Sequence, residues 1–207
     1  MNRRSVVVAA SASLMLAGAL VPPALAWSQL FNNFPHAPTS CDNSANWPCV
    51  RWPKNGSLSS TVIIFNDPSL TSANLNLDTD VRASVNQWHL VCAANPILQY
   101  GSGVNAQIYV QRGSISDPSA WAETITSASG HTIIGATTTF NNLVTWNHSF
   151  TYTVTQADSR KVGTHELGHA EGLGHTNFTA VMHQSAESFW APQTNDIQGM
   201  QAVYGSC

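Results

Sequence analysis

The chain has 207 residues, 43% hydrophobic and 9% aromatic, enough apolar material for one globular domain with its own core, so a disordered chain is excluded. Only 9% of residues are charged, against about 25% in an average globular domain, which excludes a charge-laced coiled coil. The formal net charge is −3, and without the first 26 residues six basic side chains face 11 acidic ones, a balance of −5. The few Lys and Arg are scattered, so nucleic acid is not an expected partner.

Arg3 and Arg4 precede an uncharged stretch from Ser5 to Leu20, then Val21-Pro22-Pro23 and Ala24-Leu25-Ala26. That is the charged, apolar and small-x-small succession of an export signal. An uncleaved membrane anchor is the competing reading, because the uncharged run is long. Ser11, Ser13 and Gly18 dilute it, however, prolines break it, and no basic cluster follows Ala26. Residues 1–26 are therefore expected to be a removed signal peptide, leaving a secreted chain of about 181 residues with no membrane association.

Cys41, Cys49, Cys92 and Cys207 all follow that cleavage site, and an even count in an exported chain points to two disulfides. Three pairings are open. The short, Pro48-containing segment between Cys41 and Cys49 favours joining those two and leaving Cys92 for Cys207, with free buried thiols as the alternative.

Residues 27–57 are rich in Asn, Pro, Ser and Trp without a period and read as an irregular segment ahead of a domain over 58–207. Residues 58–65, β-branched and apolar between Gly56 and Asn66-Asp67-Pro68, predict a strand. After an Asp78 cap, Val81, Val85, Trp88 and Cys92 recur at helical spacing and predict an amphipathic helix ended by Asn95-Pro96. Residues 97–100, 106–110 and 132–140 predict further strands that can join one mixed sheet. A second helix is expected over 155–172, with Thr155 and Asp158 as a capping-box-like pair, and a third over 195–204, stopped by Gly205.

The most informative stretch is Thr164-His165-Glu166-Leu167-Gly168-His169-Ala170-Glu171-Gly172-Leu173-Gly174-His175. Residues four apart on a helix lie about 40° apart around its axis, so His165 and His169 present two imidazoles to one metal ion. Glu166, on the same turn, is placed to take a proton from a zinc-bound water rather than to bind the metal. Gly172 can turn the chain off the helix so that His175 returns as a third ligand. Three histidines leave a fourth position open, the mark of a catalytic zinc rather than a structural one. At this composition the five-residue match is expected by chance roughly once in a hundred thousand.

This stretch resembles the metzincin clan of zinc metallopeptidases. Ala180-Val181-Met182 fits the clan's Met-turn, which implies that Met182 forms an apolar floor beneath the imidazoles. Within the clan, residues 195–205 and Thr176 after the third His resemble the matrixins. The resemblance implies an α+β fold of the metzincin-like zincin type, with a mixed twisted sheet of about five strands and three helices. It also implies a zinc endopeptidase with one catalytic Zn2+ and protein or peptide substrates; a monomer is expected, with the oligomeric state left open. No Pro-Arg-Cys-Gly-type switch is found, and Asp117, His131, His148 and Asp158 occur only singly, so neither a structural Ca2+ nor a second Zn2+ is supported. His183 is weighed as a ligand and set aside, because three histidines complete the site. Gln184 stands where the astacin branch carries a Tyr.

Substrate is expected to lie extended along residues 132–140, added as an edge strand. Phe189 and Trp190 are the candidates for the wall of the pocket just after the cut, with plain core packing as the alternative. Two other functions compete: a non-catalytic secreted zinc-binding module, and a zinc hydrolase of a non-peptide amide.

Overall fold

The computed structural model describes residues 50–53, 60–71, 77–91, 96–147, 157–176, 179–183 and 189–205. The export signal, Cys41, Cys49, Cys92, Cys207, His148 and Gln184 lie outside the described residues.

Five strands form one sheet: β1 (Thr61–Asn66), β2 (Ile97–Tyr100), β3 (Ile108–Gly113), β4 (Ala122–Ser129) and β5 (Thr132–Asn141). Their order is β2-β1-β3-β5-β4, parallel throughout except for β4, which runs antiparallel to β5. A short parallel pair, β6 (Trp146–Asn147) with β7 (Ala157–Asp158), lies outside that sheet. With helices α1 (Leu77–His89), α2 (Ser159–Ala170) and α3 (Thr194–Tyr204), this is the expected α+β arrangement of a five-stranded mixed sheet and three helices. Val62, Ile64, Ile108, Val110 and Phe140 from the sheet are buried in one core with Val81, Val85 and Trp88 from α1.

β4 has no counterpart among the predicted strands, and the reason is chemical. Alternation along a strand normally sends apolar residues inward. Here the inward row is Ala122, Thr124, Thr126 and Ala128, two of the four polar, while Ile125 faces outward, 37% exposed. The threonines turn inward because they serve α2: Thr124 Oγ1 donates to the Glu166 carbonyl at 3.2 Å, and Thr126 Oγ1 reaches the His169 carbonyl at 3.5 Å. The sheet order also corrects the expected substrate strand. Residues 132–140 lie in β5, an inner strand flanked by β4 and, from Ala136 on, by β3, so they do not form an edge of the sheet.

α2 begins later than expected. Asp158, not Thr155, is its N-cap, accepting from the N–H groups of Arg160 and Lys161 at 3.1 Å each. One carboxylate thereby satisfies two of the four donors that a helix start leaves unpaired. Asp80 of α1, itself buried, pairs with Arg160 at 2.8 Å and accepts from Ser159 Oγ, tying the two helices together. α3 starts at Thr194 behind a Gln193–Asp196 capping box and ends at Gly205, close to expectation.

The segment 50–53, at the end of the stretch read as irregular, is built into the core. Arg51 donates its N–H to the His131 carbonyl and accepts from Ile133 N, at 3.1 and 2.8 Å. Trp52 is fully buried; its indole donates to the Ala170 carbonyl at 2.9 Å and its N–H to the Tyr204 hydroxyl at 3.3 Å. Tyr204 in turn donates to the Glu171 carbonyl at 2.7 Å.

Glu171 itself is fully buried at the C-terminal end of α2, and its carboxyl oxygens have no hydrogen-bond partner among the described residues. Burial holds its pKa well above the usual 4.5. The unfolded chain then releases the proton first, so this group costs stability progressively as pH rises above 4.5, by up to about 1.4 kcal/mol per pH unit. Glu171→Gln is expected to melt higher than the parent at pH 7, with the difference closing as pH falls to 4.5; a constant difference would contradict this.

Candidate active site

Every residue of α2 except Arg160 is buried, so its histidines emerge inside the molecule. His165 and His169 stand one turn apart. After Glu171 the chain reverses at Gly172, whose φ is +101°, a conformation that side chains with a Cβ rarely adopt. A Cβ there would also lie 2.7 Å from the Val50 carbonyl oxygen. The reversal returns His175 to the other two imidazoles.

The three Nε2 atoms lie 3.0, 3.2 and 3.3 Å from one another. Neighbouring carbonyls set which nitrogen faces inward. His165 Nδ1 lies 2.7 Å from the Val181 carbonyl oxygen, and His169 Nδ1 lies 2.7 Å from that of Leu173. A carbonyl can only accept, so each Nδ1 carries the hydrogen and each Nε2 keeps its lone pair. Burial keeps the rings neutral, pushing His165 down to about 3, His175 to about 4 and His169 well below 6.5.

Neutral imidazoles with convergent lone pairs and oriented outer nitrogens are the donor set that zinc requires. The triangle fits as well, since a tetrahedral site with Zn–N bonds of about 2.0–2.1 Å has edges of about 3.3 Å. His183, next in the chain to Met182, is not part of this cluster.

Met182 lies beneath α2, only 2% exposed. A Cβ on Gly168 would come within 2.4 Å of the Met182 sulfur and 2.7 Å of the Trp88 ring, so glycine is what lets the helix settle there. The turn carrying Met182 is fixed by Asp196, which accepts from the N–H groups of Val181 and Met182 at 2.9 and 3.0 Å. Sequence reasoning overlooked Asp196; the Gln193-x-x-Asp196 capping pattern was the available signal.

Glu166 is fully buried on the same turn as His165, and neither carboxyl oxygen has a hydrogen-bond partner among the described residues. Burial raises its pKa to about 8, against the nearby Thr124 hydroxyl, which lowers it, and with a smaller upward push from the Glu123 charge. Phe189 is partly buried against the core, whereas Trp190 is 41% exposed. Of the single metal candidates, Asp158 is occupied in capping α2 and Asp117 accepts from Ser119 in its own turn.

Fold and site together define a metzincin-type architecture: a mixed sheet, a buried helix bearing two histidines, a glycine reversal to the third, and a methionine underneath. The matrixin family model of the M10 peptidases matches residues 51–205, about three quarters of the chain, and the protein belongs to that family. A comparison with curated proteins finds no match. Matrixins are metallopeptidases that use a catalytic zinc, and the histidine triad of this chain fits that ion.

The depressed histidine pKa values carry a sign. Below pH 6.5 the unfolded chain takes up protons that the folded site refuses, so metal-free protein loses stability as pH falls from 6.5 toward 4, by up to about 1.4 kcal/mol per pH unit for each group. Urea midpoints in chelator should fall across that window by the excess of these three groups over Glu166 and Glu171, which act in the opposite sense. In a variant with Gln at positions 165, 169 and 175 most of this fall should vanish; an equal fall in both would refute the assignment.

Proposed function

We propose that the protein is a secreted zinc endopeptidase, with His165, His169 and His175 holding the metal and Glu166 as general base. The observation that carries this reading is the unpartnered, fully buried Glu166 carboxyl beside three convergent neutral imidazoles. Buried carboxyl groups are normally hydrogen-bonded, so an orphaned one here waits for a ligand. Bound zinc supplies a Lewis acid that lowers the pKa of water and polarises the scissile carbonyl. Glu166 then takes the proton of the attacking water and delivers it to the leaving amine. A pure binding module has no use for such a base, and this weighs against the non-catalytic alternative.

Peptide substrate is proposed to add to β4. Of the two sheet edges, β2 is blunted, since its Leu98 N–H already donates to His89 Nε2 at 3.0 Å. β4 ends the sheet with one strand partner, and its threonines bind the carbonyls of Glu166 and His169. An extended chain on β4 therefore runs beside the catalytic helix, and main-chain hydrogen bonds set its register. That geometry favours a polypeptide over a small amide. Secretion rests on the export pattern of residues 1–26.

His169→Ala should lose zinc by metal analysis. Glu166→Ala should keep zinc yet cleave casein at least about a hundredfold more slowly; zinc-loaded His169→Ala, or a fully active Glu166→Ala, would overturn the assignments.

The exposed Trp190 and the partly buried Phe189 are proposed to wall the pocket for the residue after the cut. Cleavage profiling should show an apolar preference there that changes in Trp190→Ala. Phe189→Ala should also change it while lowering the melting temperature, because that ring contacts the core; unchanged profiles in both folded variants would remove the pocket.

A further inference from the structure

The segment that leaves the Met182 turn and returns at α3 is pinned at both ends by one carboxylate. Asp196 accepts from Val181 N and Met182 N at its start and from Gln193 N, at 2.7 Å, at its end. A further tie falls between those ends. Thr164, fully buried and immediately before His165, reaches the Trp190 carbonyl oxygen through Oγ1 at 3.1 Å. The same hydroxyl lies 2.8 Å from the Arg160 carbonyl, four residues back in its own helix, so its single proton is shared between the two acceptors. That second contact is ordinary for a helical threonine. The bond to Trp190 is not, since it leaves the helix and holds a segment 26 residues away.

Thr164 is itself anchored. Its carbonyl accepts from the Trp88 indole of α1 at 2.8 Å, so the hydroxyl projects from a fixed point of the buried helix. One turn carries, in succession, the tie to Trp190, the first histidine and the orphaned acid.

We propose that Thr164 is a specificity-positioning residue whose hydrogen bond to the Trp190 carbonyl holds the Phe189–Trp190 wall at a fixed distance from the metal-binding helix. This rests on the reading of those two residues as the pocket wall. The width available to the substrate residue after the cut is then set by the helix that performs the chemistry, not by the wall segment alone. Valine has the shape of threonine but no proton to donate, so Thr164→Val removes the tie while filling the same space. Thr164→Ser retains the donor, and Thr164→Ala removes it with no methyl placed against the two carbonyls.

The test uses zinc-loaded mature chain and two readouts. One is the ratio of kcat/KM for two peptides that differ only in having Leu or Ala after the cut. The other is amide hydrogen exchange over residues 189–193. In Thr164→Val the Leu-over-Ala ratio should fall about three- to tenfold, the range that one net hydrogen bond spans. Exchange over 189–193 should quicken, zinc content should hold, and Thr164→Ser should match the parent in all three; Thr164→Ala carries the valine expectation should that variant not fold. An unchanged ratio with unchanged exchange overturns the proposal. So does an equal loss on both peptides without faster exchange, which would make Thr164 a support of the helix only. If the parent cleaves no peptide at all, the endopeptidase reading fails, and exchange in Thr164→Val still decides whether the tie exists.

Discussion

The molecule is organised by a helix with no wet face. Most helices turn one side to water, where spare carbonyl lone pairs find partners. α2 has no such side, and protein donors from three directions take the place of solvent. Trp88 of α1 reaches the carbonyl of Thr164, Thr124 of β4 that of Glu166, and Trp52 of the N-terminal segment that of Ala170. Each is a directional bond, so helix, sheet edge and leading segment hold one fixed relation. The positions of the His165 and His169 imidazoles follow from that relation, and the reversal at Gly172 adds that of His175.

The burial that fixes the site also makes it costly. Neutral imidazoles, an unpartnered Glu166 and an unpartnered Glu171 all lie within one stretch of chain. Sites that break the rule of satisfied buried groups depend on the rest of the fold for their stability. Here that support comes from the apolar cluster around Trp88, Phe140 and Met182, and from the close packing that Gly168 permits. Glu166 and Glu171 differ in consequence. On the proposed reading a ligand satisfies the first, whereas the second lies past the last turn, with its backbone carbonyl held by Tyr204 and its side chain serving no step of that reaction.

The histidine triad was legible because its spacing is dictated by one helix and one glycine, both local properties of the chain. The stripe of α1 was legible for the same reason as far as Val81, Val85 and Trp88, all buried, although the helix ends at His89, before the expected Asn95-Pro96. β4 was not, because Thr124 and Thr126 look like a solvent-facing row and become an inward one only once α2 presents its carbonyls. The error about the substrate edge followed, since without β4 the strand at 132–140 appeared to end the sheet. The start of α2 was misplaced because Thr155 and Asp158 both qualify as caps by residue type, and only the extended pairing of Ala157–Asp158 with β6 decides between them. Long-range ties such as Trp52 to Ala170 leave no periodic trace.

The imidazole of His89 at the β2 edge has a consequence for how copies of the chain can meet. A sheet with two open edges can be extended at both, and repeated extension yields an unbounded ribbon. On this sheet the outward Leu98 N–H is already taken, by the Nε2 of the His89 ring. Growth by strand addition is then restricted to the β4 side, where two copies meeting edge to edge consume each other's free edge and stop at a closed pair. On the proposed substrate mode, the one strand left open for peptide is also the one a second copy can reach, so the sheet is not a template for its own polymerisation.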